Sequence, residues 1–172
     1  PDSGQESTPS MPMTEPPATS TTFLEAVALR AKDADVFASC RVEGERLACA
    51  ARDSAAPAHY RVDTAGGSVW VSLVTPDRWL SESIETDLLH TGDKLNELID
   101  EELVELGYTG SGCSFQHYRS DDKLFTFRTA VPVTAAQVAA CDAGAVGECA
   151  RFLLAYEACF RGLGDMQGGD ED

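Results

Sequence analysis

Cys40-Arg41-Val42-Glu43-Gly44-Glu45-Arg46-Leu47-Ala48-Cys49 decides the fold class of this chain. Two short runs alternate apolar and polar residues around Gly44-Glu45, and such alternation marks a half-buried strand. With Gly44-Glu45 as a two-residue turn, the opposed pairs are 43–46, 42–47, 41–48 and 40–49. The pair beside the turn is hydrogen-bonded, so by alternation 40–49 is a non-hydrogen-bonded pair with Cα atoms about 4.5 Å apart. That separation lies inside the disulfide range of roughly 4.4–6.8 Å. Cys40 and Cys49 are therefore expected to be bridged across an antiparallel hairpin.

The pattern continues on both sides. Val36, Ala38, Cys40 and Val42 share one face, with Leu47, Cys49 and Ala51 facing them. Residues 58–63 and 68–74 predict a second hairpin around Ala65-Gly66-Gly67, with Val69, Val71 and Leu73 alternating against Trp70 and Ser72. Upstream, Thr22-Phe23-Leu24-Glu25 reads as a capping box opening an amphipathic helix. Downstream, Thr75-Pro76-Asp77 reads as a helix start with Thr75 as cap, and Gly92 as its stop. Asp93 is expected to cap the next helix, whose Leu95, Leu98, Ile99, Leu103 and Leu106 repeat at helical spacing as far as Gly107.

Cys113, Phe115 and His117 then alternate along a strand, and residues 124–131 return from a turn at Ser120-Asp121-Asp122. Thr134-Ala135-Ala136-Gln137 is a further capping box, opening a helical region that reaches Leu163. The order predicts an α+β domain over residues 22–164, with a largely antiparallel sheet and helices packed on one face. Residues 1–21 are rich in Pro, Ser and Thr and predict a disordered tether. Residues 165–172 read as an acidic tail.

Six cysteines in 172 residues form an even set that suits bridging in an oxidising compartment. Besides Cys40–Cys49, Cys141 is expected to join Cys149 across a break in the last helical region, because Gly144 and Gly147 disfavour helix there. Cys113 and Cys159 then remain as a third pair, reached by elimination. The chain opens Pro1-Asp2-Ser3-Gly4, with neither Met nor an apolar signal core. An exported chain whose signal segment has been removed and a segment starting at a domain edge both fit. The tether would join a membrane anchor to a periplasmic or extracellular domain.

Thirteen Lys and Arg against 29 Asp and Glu give a formal net charge of −16. That field repels phosphate backbones and anionic lipid, so neither nucleic-acid binding nor membrane insertion of the folded domain is expected. A protein partner or a second copy is expected instead, with basic partner surfaces favoured. None of His59, His90 and His117 has a metal partner at a recognised spacing, and no Walker, His-Glu-x-x-His or Gly-x-Ser-x-Gly motif occurs. His90 reads as structural beside a helix C-terminus, and His117 as a sheet-face residue. Residues 108–114 read as a linking turn, and the carboxylates of residues 82–105 as a solvated helix face. No catalytic, cofactor-binding or metal residues are expected.

From Leu88 to Met166 the apolar pattern resembles the YbjN family, whose domain shares the fold of type III secretion chaperones. The likeness is carried by a helix feeding the hairpin of residues 113–118 and 123–128, and by the exit through Val131-Pro132-Val133-Thr134. A long final helix with Phe152-Leu153-Leu154-Ala155-Tyr156 completes it. The resemblance implies a non-enzymatic domain that binds protein. Together these readings predict an exported, disulfide-stabilised bacterial accessory domain of the cell envelope. The rival expectations are a hydrolase whose acidic and His117 site residues are dispersed, and a reduced cytosolic secretion chaperone.

Overall fold

The first hairpin forms as the alternation requires. Strand β1 (Ser39–Glu43) pairs antiparallel with β2 (Arg46–Ala50), placing Cys40 opposite Cys49 and Glu43 opposite Arg46, and Gly44 takes a positive φ of 63° in the turn. The computed structural model describes residues 18–110 and 114–167. Most of the expected tether, Cys113 and the end of the acidic tail lie outside the described residues.

Strands β3 (His59–Asp63), β4 (Val69–Thr75), β5 (Gln116–Arg119) and β6 (Phe125–Val131) complete one antiparallel sheet of order β1-β2-β3-β4-β6-β5. The helices are α1 (Ala18–Ala34), α2 (Arg78–Thr91), α3 (Leu95–Glu105), α4 (Ala135–Ala139) and α5 (Ala143–Arg161), followed by a 3-10 turn at Gly164–Gln167. The fold is α+β. Helix α1 lies against β1 and β2, α5 lies against β3, β4 and β6, and α3 packs on α5.

Across the six strands, one row on the helix-covered face reads Cys40, Cys49, Tyr60, Leu73, Phe127 and His117. From α5, Phe152, Leu153, Tyr156 and Phe160 meet this face fully buried. Thr129 Oγ1 donates to the Ser114 carbonyl at 2.8 Å, so the buried Tyr156 hydroxyl donates to Thr129 Oγ1 at 2.6 Å. Sheet and helix are thereby joined without an unsatisfied hydroxyl.

Several element starts differ from the sequence reading. Helix α1 begins at Ala18, inside the expected tether, so Thr22 is an interior residue. Extending a nucleated helix adds a hydrogen bond for each residue ordered, which favours growth back to the Pro16-Pro17 pair. Asp77, not Thr75, caps α2 by accepting from the Leu80 amide at 2.8 Å. Thr75 turns the other way and donates to the Pro57 carbonyl. Lys94 rather than Asp93 precedes α3, with no side-chain cap. Residues 165–167 of the expected acidic tail instead form part of a 3-10 turn that buries Met166.

The last helical region does break, but ahead of the glycines. Cys141 stands in the turn between α4 and α5 with φ 49°, and Asp142 caps α5 through the Ala145 amide at 2.9 Å. Gly144 and Gly147 both lie inside α5. The expected Cys141–Cys149 bridge is not formed, and both thiols are free.

Candidate functional site

Every strand residue that does not face the helices contributes to the opposite side of the sheet. Its central row reads Arg41, Ala48, Arg61, Ser72, Arg128 and Gln116, and an adjacent row carries Arg46 and Trp70. Four of the chain's 13 Lys and Arg residues thus lie on this one face of an acidic protein. The Arg128 guanidinium stacks 3.7 Å from the Trp70 ring centre and 5.3 Å from that of Tyr118, and donates to Gln116 at 2.8 Å. Long arginine stems flank the small residues between them, and Ser72 in this row is buried.

Toward β1 the face is concave. A cavity of about 360 Å³ is lined by Ser39, Arg41, Glu43, Arg46, His59 and Arg61. Arg46 pairs with Asp63 at 2.6 Å and Arg41 with Glu43 at 3.6 Å. Arg61 makes no ion pair among the described residues, and its buried Nε has no hydrogen-bond partner there. Burial first, and then the neighbouring Arg46 charge, lower the Arg61 pKa from its ordinary value, against the pull of Asp63, Asp122 and Glu43. His59 is lowered by burial and then by Arg61, so near neutral pH it offers a neutral imidazole to the cavity.

The cysteines of the first hairpin sit on the covered face. The neighbouring Cys49 thiol, and then Lys32, draw the half-buried Cys40 thiol below its ordinary value against burial. Cys49 itself is pushed up, chiefly by its Cys40 neighbour and by burial. The expected Cys40–Cys49 bridge is not formed, and both residues carry free thiols here. Cys149 is buried and pushed up to about 12 by burial, a poor nucleophile. Cys159 is buried in α5, and its expected partner Cys113 lies outside the described residues. Under a mild oxidant Cys40 and Cys49 should join, contributing at or below the usual range of about 2–4 kcal/mol because the closed loop is short. Trypsin cuts after Arg41 and Arg46, so the bridge leaves residues 33–41 linked to residues 47–52. Mass spectrometry of non-reduced peptides that finds these two only apart would refute the bridge.

The structure brings His117 onto Glu85 of α2 through Nε2, while Nδ1 faces the Thr126 carbonyl at 3.0 Å. Both partners are acceptors, and the ring stacks on Phe127 at 3.8 Å between centres. A ring held on both nitrogens ties β5 to α2. Asp87 accepts from the Gly164 amide at 2.9 Å, so another of the acidic-helix carboxylates serves packing. His90 stands in the last turn of α2 as expected. Among the described residues no group of three or more His, Cys, Asp or Glu is placed to hold a metal, and no helix is long and apolar enough to cross a membrane.

Glu157 escaped the sequence reading. It is buried in α5 beside Tyr60, at a cavity of about 300 Å³ rimmed by Asp35, Arg52 and Met166, and accepts from Arg161 at 2.7 Å. Its signal was present: a lone carboxylate in the apolar run 152–160. Burial raises its pKa, and Arg161 only partly opposes this. The folded state therefore holds the proton more tightly than the unfolded chain. The resulting stabilisation is full below the ordinary glutamate value of about 4.3 and is lost as pH rises through the raised value. Glu157→Gln should remove that contribution. The wild-type urea midpoint should accordingly fall relative to the variant's as pH rises from acid toward neutrality. Parallel midpoint curves would contradict the assignment.

No family model, curated protein or solved structure matches this chain.

Proposed function

We propose that this chain is a non-catalytic, exported accessory domain of the bacterial cell envelope that binds an acidic segment of another protein on the bare face of its sheet. One observation supports this above the rest. A chain of formal net charge −16 gathers four arginines and the rings of Trp70 and Tyr118 on the sheet face that its helices leave open. Charge segregated in this way steers an anionic partner to that face, while the acidic helices repel it elsewhere. The favoured partner charge is thus opposite to the one that net charge alone suggests. Aromatic and arginine side chains are also the residues that dominate protein interfaces.

Nucleic acid suits the face less well. Phosphate binding needs a track of free cations, whereas Arg41 and Arg46 already face Glu43 and Asp63. Export is supported by the opposed hairpin cysteines, and it predicts that protein whose thiols are alkylated in the living cell before isolation already carries the Cys40–Cys49 bridge.

Fluorescence anisotropy of a labelled Glu-rich peptide tests the binding part, using the full chain and an R41E/R61E/R128E variant. The expected result is binding that weakens as salt rises and is lost in the variant, with no binding to random-sequence duplex DNA in moderate salt. Equal peptide binding by both proteins would remove the sheet face from the reading. DNA binding in place of peptide binding would make the face a nucleic-acid site. A dimer that the variant abolishes in sedimentation would place a second copy there instead.

A further inference from the structure

The concave end of the bare face is more than a basic surface. Arg61 lies in the central row between Ala48 and Ser72, whose small side chains leave its guanidinium room to lie along the sheet. Its Nε is buried and has no hydrogen-bond partner among the described residues. A buried donor left unmade is costly, and a charged one more so. Arg46 is a positive neighbour in the same cavity, and Arg41 stands across it. Of the carboxylates that act on it, Asp63 pairs with Arg46, Glu43 faces Arg41, and Asp122 accepts from the Ser120 hydroxyl. Such a guanidinium fits an oxyanion that enters from solvent.

We infer that the Arg41–Arg46–Arg61 cavity is a carboxylate-recognition site that takes one acidic side chain of the bound segment, with the two Nη groups of Arg61 as a fork on its two oxygens. This rests on the proposed use of the bare face and names its recognition centre. The Nη edge of a guanidinium matches the two oxygens of a carboxylate. A singly charged group suits the cavity better than a phosphate dianion, because Glu43 and Asp63 line or flank it and offset part of its positive charge. The neutral His59 imidazole can donate a further hydrogen bond without adding charge.

NMR of the 15N-labelled full chain tests this through the arginine Nε–Hε resonances. Titration with an unlabelled Glu-rich peptide should shift the Arg61 resonance saturably. Arg61→Lys keeps the charge and loses the fork, so its peptide affinity should fall by about tenfold or more. Arg61→Gln, with the same stem length to Cδ, should lose at least as much, and thermal unfolding of both variants verifies that they fold. Arg119→Lys, on the covered face, should bind as wild type does. Peptide binding that shifts Arg128 and leaves Arg61 unmoved would overturn the site while sparing the binding function. A saturable Arg61 shift with inorganic phosphate at lower concentration than with the peptide would make this a phosphate site and also overturn the inference. Absence of any peptide binding by anisotropy would remove the underlying reading as well.

Discussion

Phe127→Ala should lower the unfolding free energy by about 3–5 kcal/mol, the usual cost of emptying a buried phenylalanine site. Phe127 is 2% exposed on the covered sheet face, one strand in from the β5 edge. Its ring stacks on His117 at 3.8 Å and meets Phe160 of α5 at 5.2 Å, and Phe160 in turn meets Tyr156 at 5.3 Å. The residue therefore joins three parts of the molecule: the β5 edge, the sheet and the long helix. Small domains have only about 5–15 kcal/mol of net stability, so the variant should be marginal at ordinary temperature. Trp79→Ala makes the comparison sharp. Trp79 is larger but 74% exposed on α2, and its loss should change stability by no more than about 0.5 kcal/mol. Urea unfolding of both variants decides the matter, and equal midpoints would show that the aromatic column is not what couples sheet to helix.

Gly164→Ala should cost about 2–4 kcal/mol, combining a left-handed backbone with overpacking. Gly164 has φ 53°, and a Cβ built there would stand 2.6 Å from the Ile84 amide nitrogen and 2.7 Å from the Ser83 carbonyl carbon. Those are backbone atoms of α2 and cannot rotate aside. Gly164 also donates to Asp87 at 2.9 Å, and the next amide, Asp165, donates to Ser83 Oγ at 3.0 Å. The substitution should lift the C-terminal 3-10 turn off α2 and expose Met166, which is 2% exposed in the intact fold. Gly162→Ala is the control, since its Cβ would meet nothing within 4 Å and its φ is −92°. Faster amide exchange over residues 163–167 in the first variant and not in the second is the expected signature. Two variants of equal stability would show that the turn does not depend on the close approach to α2.

The local features of the fold were legible because local chemistry decides them. Alternation around Gly44-Glu45 placed Cys40 opposite Cys49, since in a two-residue hairpin the turn sets the register. The Thr134–Gln137 capping box and the left-handed Gly92 stop of α2 also formed where their residue types required. The caps of α2 and α3 were misplaced by one or two residues. Thr75 found a better acceptor in Pro57, far away in sequence, and Asp77 was left to serve the helix. The break before α5 was misplaced for a similar reason. Asp142 supplied a cap that outweighed the poor helical propensity of Gly144 and Gly147, whose helix is held by its packing.

The chain's own order of residues determined the hairpins, the helix stops, the α+β class and the strong negative charge, each through contacts between near neighbours or through composition. Only the tertiary structure decided that β6 inserts between β4 and β5, and that Arg41, Arg61 and Arg128 fall in one row across the sheet. It also decided that Glu157 enters a cavity beside Tyr60, and that His117 is held by Glu85. These depend on pairings between strands and helices remote in sequence, whose register is set by burying one common apolar face. The charge on the opposite face is arranged as a consequence of that burial, and no local pattern records it.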